Sequence, residues 1–315
     1  MMSADMQKKI LITGAAGYLG SQLGERLARD NAVFGVDIRP GNGAFPVEVL
    51  DIRSPQLAAL MSRHGITHVV HLASILQPGP DRERDYDIDV NGTRNVLQAC
   101  LKAGVQHFTY TSSGAAYGYH ADNPAWIDEQ DALRGNREFS YSDHKRLIEE
   151  ILADYRQKQP QLQQLIFRPG TVLGASTNNL ITNLFRKDRL LAVSGSASPF
   201  VFIWDQDVVN AVELGIQRSS TGIFNMAGDG ALSIDQIAAI LDKPVLRIPA
   251  FVIATALAVG HLLRLTRYGP EQVNFLRYRP VLSNRRLKEE FGYQPAKSSE
   301  DTFRYFARHA LGARV

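Results

Sequence analysis

Two clusters of residues in this chain are of types and spacings that do chemistry. The first is Tyr141-Ser142-Asp143-His144-Lys145, preceded by Thr111-Ser112-Ser113 at the end of an apolar run. Tyrosine and lysine four apart on a helix share one face. A phenol with its ordinary pKa of about 10 is a poor base at neutral pH. A protonated lysine nearby favours the phenolate and lowers that value. A tyrosine pushed toward about 7 takes a proton from an alcohol or gives one to a ketone. Tyr-x-x-x-Lys alone is common surface charge on a helix; its position after the second cluster gives it weight.

The second cluster is Lys9-Ile10-Leu11-Ile12-Thr13-Gly14-Ala15-Ala16-Gly17-Tyr18-Leu19-Gly20. An apolar strand runs into three glycines spaced three apart, and Leu19, Leu23 and Leu27 follow at helical spacing. Gly14 lets the chain turn off the strand, Gly17 lets the backbone approach a pyrophosphate, and Gly20 lets helix and strand pack closely. The helix N-terminus then offers N–H groups and a positive dipole end to phosphates. Val33-Phe34-Gly35-Val36-Asp37 is a second strand ending in an acid, placed to accept hydrogen bonds from a ribose diol. The order strand, glycines, helix, strand, acid points to a bound dinucleotide. Asp37 favours NAD by repelling a 2′-phosphate, although Arg39 two residues on could pair with one.

The elements that must position these clusters are visible as alternation. Strand-like runs lie at 9–13, 32–37, 67–73, 106–112 and 163–168, with helical patterns at about 19–29, 54–64, 89–103 and 141–158. That rhythm predicts an α/β fold, a doubly wound parallel sheet of Rossmann type. Past Gly170 the rhythm loosens. The expected division is a nucleotide-binding domain over 1–170 and a smaller substrate-binding lobe over 171–315, with some segments returning to the sheet. Hydrophobic content of 44% and a net charge of +3 without a basic stripe suit a globular enzyme and not a nucleic-acid binder. The single cysteine, Cys100, excludes an internal disulfide and a cysteine-based metal site, and no metal centre is expected. Residues 1–8 show no apolar signal core, so the cytoplasm is the expected compartment.

The motifs together resemble the extended short-chain dehydrogenase/reductases of the NAD-dependent epimerase/dehydratase group, over nearly the whole chain. The resemblance is carried by Thr13-Gly14-x-x-Gly17-x-x-Gly20, Asp37, Asp51-Ile52, His71-Leu72-Ala73-Ser74, Asn91-Gly92-Thr93, Tyr110-Thr111-Ser112-Ser113, Tyr141-x-x-x-Lys145, Arg168-Pro169-Gly170 and Phe291-Gly292-Tyr293-Gln294-Pro295. It implies that Tyr141 is the general acid/base, that Ser113 holds the reacting oxygen, and that Lys145 binds the nicotinamide ribose. It implies that Gly14, Gly17, Tyr18, Leu19 and Gly20 hold the pyrophosphate, that Asp51 and Ile52 border the adenine, and that Leu72, Ala73 and Ser74 line the trough. Pro169 would border the cofactor and Asn91 would stand near its catalytic end. The plainer second readings are Asp51 as a helix-start residue, Asn91 as a surface residue and His71 as a buried strand residue.

The reaction is less legible. Dehydratases of the group carry an Asp-Glu pair after the catalytic Ser/Thr, whereas Ser113 is followed by Gly114-Ala115-Ala116. Asn178-Asn179-Leu180 resembles the run by which UDP-galactose 4-epimerases approach the nucleotide diphosphate, or is a polar loop capping a helix. Phe200 lies near the place of an arginine that clamps the diphosphate in sugar-nucleotide enzymes. The run 248–263 is almost wholly apolar, a buried helix of the smaller lobe or a lipid-facing stretch like that of the 3β-hydroxysteroid dehydrogenase branch, with Arg264, Arg267 and Arg277 nearby. The leading expectation is a 4-epimerase-like enzyme of a nucleotide sugar; the alternatives are a dehydrogenase of a bulky apolar alcohol and a non-catalytic NAD sensor. The partners expected are a small-molecule substrate, a peripheral membrane contact and a second copy of the chain. The homodimer would pack through 89–103 and 141–158, where Leu147, Ile148, Ile151, Leu152 and Tyr155 carry much apolar surface.

Asp37→Ala should raise NADP use relative to NAD, because it removes the repulsion and leaves Arg39 to meet the phosphate. Steady-state rates with the two cofactors check this; a wild type that already prefers NADP would overturn it.

Overall fold

The computed structural model describes residues 7–266 and 269–313. Residues 1–6 and Arg267 lie outside the described residues. A seven-stranded parallel sheet dominates. In chain order its first six strands are β1 (Lys9–Thr13), β2 (Ala32–Asp37), β3 (Val47–Val49), β4 (His68–His71), β5 (His107–Thr111) and β6 (Gln163–Pro169). Short strands of the smaller lobe flank the seventh: β7 (Thr171–Leu173), β8 (Leu190–Val193) and β9 (Phe202–Trp204) precede β10 (Gly222–Met226), and β11 (Val245–Ile248) comes after. The spatial order is β10-β6-β5-β4-β1-β2-β3, which reverses at β1 and β4 and opens a crevice at their carboxyl ends.

Side chains alternate across β1 and so build two layers. Ile10 and Ile12 enter one core with Leu23, Leu27, Val208, Val212 and Ile216. These come from α1 (Tyr18–Leu27) and, later in the chain, the helix Asp205–Arg218. Leu11 enters the other core with Leu60, Met61, Val96, Leu97, Cys100, Ile148 and Leu152. That layer is made by α2 (Leu57–His64), α3 (Arg82–Tyr86), α4 (Gly92–Ala103) and α5 (Ser140–Lys158). Cys100 is fully buried there, and burial pushes its thiol pKa up. Strands covered on both faces read as near-continuous apolar runs, which is why β1 and β4 stand out in the sequence.

The smaller lobe holds α6 (Leu180–Phe185), α8 (Ile234–Leu241), α9 (Ala250–Leu262), α10 (Gln272–Arg277) and α12 (Ser299–Ala310). The helix Asp205–Arg218 is α7, and α11 (Arg285–Glu289) packs near β10. The lobe's core is aromatic: Phe185, Phe200, Phe202, Phe303 and Phe306 are all buried together. After leaving for this lobe the chain returns, and β10 pairs with β6 in register Gly222↔Leu165.

Three expectations need correction. The helix expected over 89–103 begins earlier, at Arg82, and is continuous through a π-type turn, Asp87–Asn91, that joins α3 to α4. The run 248–263 is not a buried helix, since α9 has no buried residue. On α5, Ile148 and Leu152 are buried against the chain's own sheet, while Leu147, Ile151 and Tyr155 are half-buried at its margin, so much of the apolar surface expected at a dimer contact is covered within one chain.

Three histidines in the sheet are held neutral. Burial lowers His68 to about 4 and His71 to about 3, and His107 is lowered for the same reason. His71 bridges Thr13 Oγ1 at 2.6 Å and Thr93 Oγ1 at 3.0 Å, tying β1 and α4 to β4. The unfolded chain takes up these protons first as pH falls. Stability is therefore complete above about pH 6.5 and falls below it, by about 2 kcal/mol for each of His68 and His71 at pH 5. Urea unfolding at pH 7 and pH 5 should show this loss, and His71→Gln should remove part of the slope.

Candidate active site at the carboxyl edge of the sheet

The site is built on the ends of β1, β4, β5 and β6 and on the first turns of α5. Gly14 follows β1 with φ of +71°, and a Cβ there would lie 2.8 Å from the Ala73 nitrogen. The turn can therefore lie directly against the end of β4. A Cβ on Gly20 would lie 2.1 Å from the Gly14 carbonyl oxygen, so only glycine allows α1 to start so close. Gly17 is the N-cap of α1, and it supplies no side-chain cap; the first turn, with Tyr18, Leu19 and Gly20, holds no acid. Its N–H groups and dipole stay available to an anion. Asp37 is buried at the end of β2, where Oδ2 accepts the Ala16 N–H at 3.1 Å and Oδ1 the Arg39 N–H at 3.1 Å. Each oxygen keeps a lone pair for a diol. Arg39 is exposed, with Nε 3.8 Å from Asp37 Oδ1. Leu72 and Ala73 donate their N–H groups to Thr13, and Ser74 Oγ is buried without a hydrogen-bond partner. An uncapped helix start, a close glycine turn, a buried acid and an orphaned hydroxyl fit a dinucleotide.

Ser113, Tyr141 and Lys145 come together at the ends of β5 and α5. Ser113 hydrogen-bonds Tyr141 and also caps the short turn Gly114–Tyr117 by accepting the Ala115 N–H at 3.1 Å. Lys145 is buried. Its Nζ donates to Tyr110 Oη at 3.0 Å and to the Thr111 carbonyl at 3.1 Å, and lies 5.7 Å from the Tyr141 ring centre. Desolvation lowers Lys145 to about 8, against the charges of Asp89 and Glu149. The expected depression of Tyr141 is not found. Burial raises it, the Ser113 hydrogen bond acts the other way, and the lysine's protons go to Tyr110 and the backbone.

Several residues hold this triad; Arg168 and Ser112 stood in the motifs quoted above, whereas Glu149, Tyr117, Asn225 and Asp89 did not. Glu149, one turn beyond Lys145, is gripped by Arg168 of β6 through Nε–Oε1 at 2.9 Å and Nη2–Oε2 at 2.6 Å, and Ser112 donates to it at 2.5 Å. Arg168 Nη1 donates to Tyr117 Oη at 2.7 Å, which donates to Asn225 of β10 at 2.8 Å. Asp89 on the π-type turn is buried; it accepts the Ile75 N–H at 2.9 Å and lies 3.0 Å from His144 Nδ1. The i+4 step from Lys145 to Glu149 and the Arg168-Pro169-Gly170 motif are the signals the sequence carries for this grip; nothing there points to Asp89.

The other expected residues have the following surroundings. Asn91 is exposed and bonded to Asp87 at 3.0 Å, because the π-type turn directs Asp89 inward instead. Asp51 is tied to Arg53 at 2.6 Å, a pair extended to Asp87, and this holds its carboxyl below the usual range. Ile52 is buried against Gly92. The Tyr18 side chain crosses to Asp205 at 2.5 Å. Pro169 ends β6 beside Met226. Asn179 caps α6 through the Thr182 N–H at 2.9 Å, and Leu180 is exposed. Phe200 is buried in the lobe's aromatic core, with the guanidinium of Arg279 stacked 3.9 Å from its ring centre. Arg279 also donates to Ser198 at 2.8 Å, yet its Nε has no hydrogen-bond partner. Tyr119 lies near Tyr141 and Arg279 and packs with Phe139 at 5.7 Å and Phe275 at 4.9 Å.

The family model of the NAD dependent epimerase/dehydratase family matches residues 10–227. The N-acetyl-alpha-D-glucosaminyl-diphospho-ditrans,octacis-undecaprenol 4-epimerase of Escherichia coli O157:H7 is 26% identical over 76% of this chain and 72% of its own length. The fold is that of the UDP-glucose 4-epimerase of Thermus thermophilus, solved with NAD, with a TM-score of 0.74 and 22% identity over 97% of this chain and 99% of that one. It is also that of the Bordetella bronchiseptica enzyme WbmG, solved with NAD, with a TM-score of 0.76 and 20% identity over 99% and 96% of the two chains. With its glycine turn, its buried Asp37 and its Ser113–Tyr141–Lys145 cluster, the chain belongs to the NAD dependent epimerase/dehydratase family, among the extended short-chain dehydrogenase/reductases, and is an NAD-dependent enzyme.

Proposed function

We propose that the enzyme oxidises and re-reduces a secondary alcohol on a diphosphate-linked sugar, as a 4-epimerase does. The observation that carries this reading is the meeting of Ser113, Tyr141 and Lys145 beside an apolar turn, Gly114-Ala115-Ala116, that offers no carboxyl pair for elimination. Bound NAD supplies the hydride acceptor and then the donor. In its phenolate form Tyr141 Oη takes the proton of the substrate hydroxyl as its carbon loses hydride, and returns it when the ketone is reduced. Ser113 Oγ hydrogen-bonds the same oxygen and keeps it in line with the phenol. Lys145 anchors the ribose, and its Nζ is held in place by the Tyr110 hydroxyl and the Thr111 carbonyl.

Gly14, Gly17, Tyr18, Leu19 and Gly20 hold the pyrophosphate in this reading, and Asp37 the ribose diol. A diphosphate on the substrate is supported by Arg279, whose guanidinium lies on the Phe200 ring and keeps an unpaired Nε. Phe200 itself has no charge to offer, so the cation comes from a distant part of the chain. The aromatic trio Tyr119, Phe139 and Phe275 supplies an apolar wall beside Tyr141 and supports the second reading, an apolar alcohol. The printed name of the E. coli relative describes a sugar on a polyprenol diphosphate, a substrate with both characters.

Tyr141→Phe should lower turnover by a factor of about 10³ while NAD binding survives, because the ring packs and the hydroxyl carries the proton. Lys145→Ala should weaken both NAD affinity and rate. Calorimetric NAD titration and an assay with UDP-sugars read the two effects separately; an isomer formed without net NADH identifies epimerisation. Wild-type turnover in the Tyr141 variant would remove it from the mechanism.

The enzyme also acts as a two-fold homodimer in this reading, joined through α4 and α5. The half-buried strip Leu147, Ile151 and Tyr155 supports this. Light scattering should give about twice the 34.9 kDa of one chain, and Ile151→Glu should return it to one.

A further inference from the structure

We infer that α9 and its flanks seat the enzyme on the surface of an anionic lipid bilayer. A surface helix normally keeps a polar face toward water. α9 has none: between Ala250 and Leu262 the only polar side chains are Thr255 and His261. None of its residues is buried. Phe251 is 72% exposed and Leu262 81%, and the chain continues with Leu263 at 60% and Leu265 at 80%. β11 leads into α9 through Pro249 and adds exposed Leu246, which is in register with exposed Leu191 of β8. Ala250, Ile253, Ala254, Leu257 and Gly260 are half-buried along one side, and the apolar side chains on the rest of the helix stay open, as a helix lying on a bilayer interface presents them.

Length and charge select the mode of contact. Thirteen residues of helix measure about 20 Å, short of the roughly 30 Å of hydrocarbon in a bilayer. Among the described residues no helix is long and apolar enough to cross a membrane. α9 therefore lies in the interface. From Pro249 to Pro270 the sequence has no Asp or Glu, whereas Arg264 is exposed at the end of the helix. Such a cation suits lipid phosphates and favours an anionic surface. Beside α9, α10 carries Phe275, which packs on Tyr119 next to Tyr141. The docking helix and the catalytic cleft thus meet at one element, and the cleft is held at the lipid surface. This inference does not depend on the sugar reading, because vesicle binding is measured without turnover.

The test is flotation of the full chain with vesicles of phosphatidylcholine alone and of phosphatidylcholine with phosphatidylglycerol. The bound fraction should be about tenfold greater on the anionic vesicles and should fall as salt rises. Phe251→Asp with Leu262→Asp should abolish flotation while NAD binding and the melting midpoint stay at wild-type values. Arg264→Glu should remove only the preference for anionic vesicles. As an independent readout, Phe251→Trp should give an emission that shifts to the blue on the mixed vesicles and is quenched by brominated lipid. A wild type that does not float, flotation that survives the double substitution, or an unshifted emission from the Phe251→Trp variant would each overturn the inference. So would light scattering that shows, without vesicles, an oligomer lost in the double variant, since that assigns α9 to a second copy of the chain.

Discussion

The buried pair Glu149–Arg168 is the contact on which the placement of the chemistry depends. Glu149 sits one turn beyond Lys145 on α5, and Arg168 projects from β6, so the two-pronged bond fixes both the rotation and the height of the helix. Ser112 at the end of β5 bonds the same carboxylate, and Tyr117 and Asn225 extend the grip to β10. The hydroxyl, phenol and ammonium of the site lie close to these anchors along the chain. A buried charge left without its partner costs about 3–5 kcal/mol, and here the cost would fall on the region that must stay rigid. The pair is better regarded as a device for position than as a source of net stability.

Burial also governs protonation at the site. Tyr141 and Lys145 both shift toward their neutral forms, the phenol upward and the ammonium down to about 8. Asp89 opposes the shift at Lys145, together with Glu149, and reinforces it at Tyr141, so this one buried acid raises the proton affinity of both groups. The positive charge that would favour the phenolate is spent on Tyr110 and the Thr111 carbonyl in this arrangement.

Much of this was legible in the sequence where one residue type has one physical role. Gly14, Gly20 and Asp37 announce the turn, the close helix and the diol acceptor because little else fits those places. Strands buried on both faces stand out as apolar runs. The sequence was opaque where the outcome turns on helix phase or on distant partners. Asn91 and Asp89 differ by two positions, and the π-type turn at 87–91 decides which of them faces inward. Arg279 meets Phe200 across the smaller lobe, a pairing that no local pattern encodes. The apolar run at 248–263 was legible as apolar, with the buried and the lipid-facing readings side by side, because hydrophobicity specifies burial in something and does not say in what.

The return of the chain to the sheet has a consequence for how the molecule can be divided. β10 and α7 follow three strands of the smaller lobe, yet α7 covers the core around Ile10 and Ile12, and β10 supplies Asn225 to the Arg168 network. A fragment ending at Gly170 would expose that core on one face and leave β6 as a raw edge. The lobe is thus made of two pieces, one inserted between β6 and α7 and one following β10, and transplanting substrate preference between such enzymes requires grafting both pieces around the returning α7 and β10, not exchanging a tail alone.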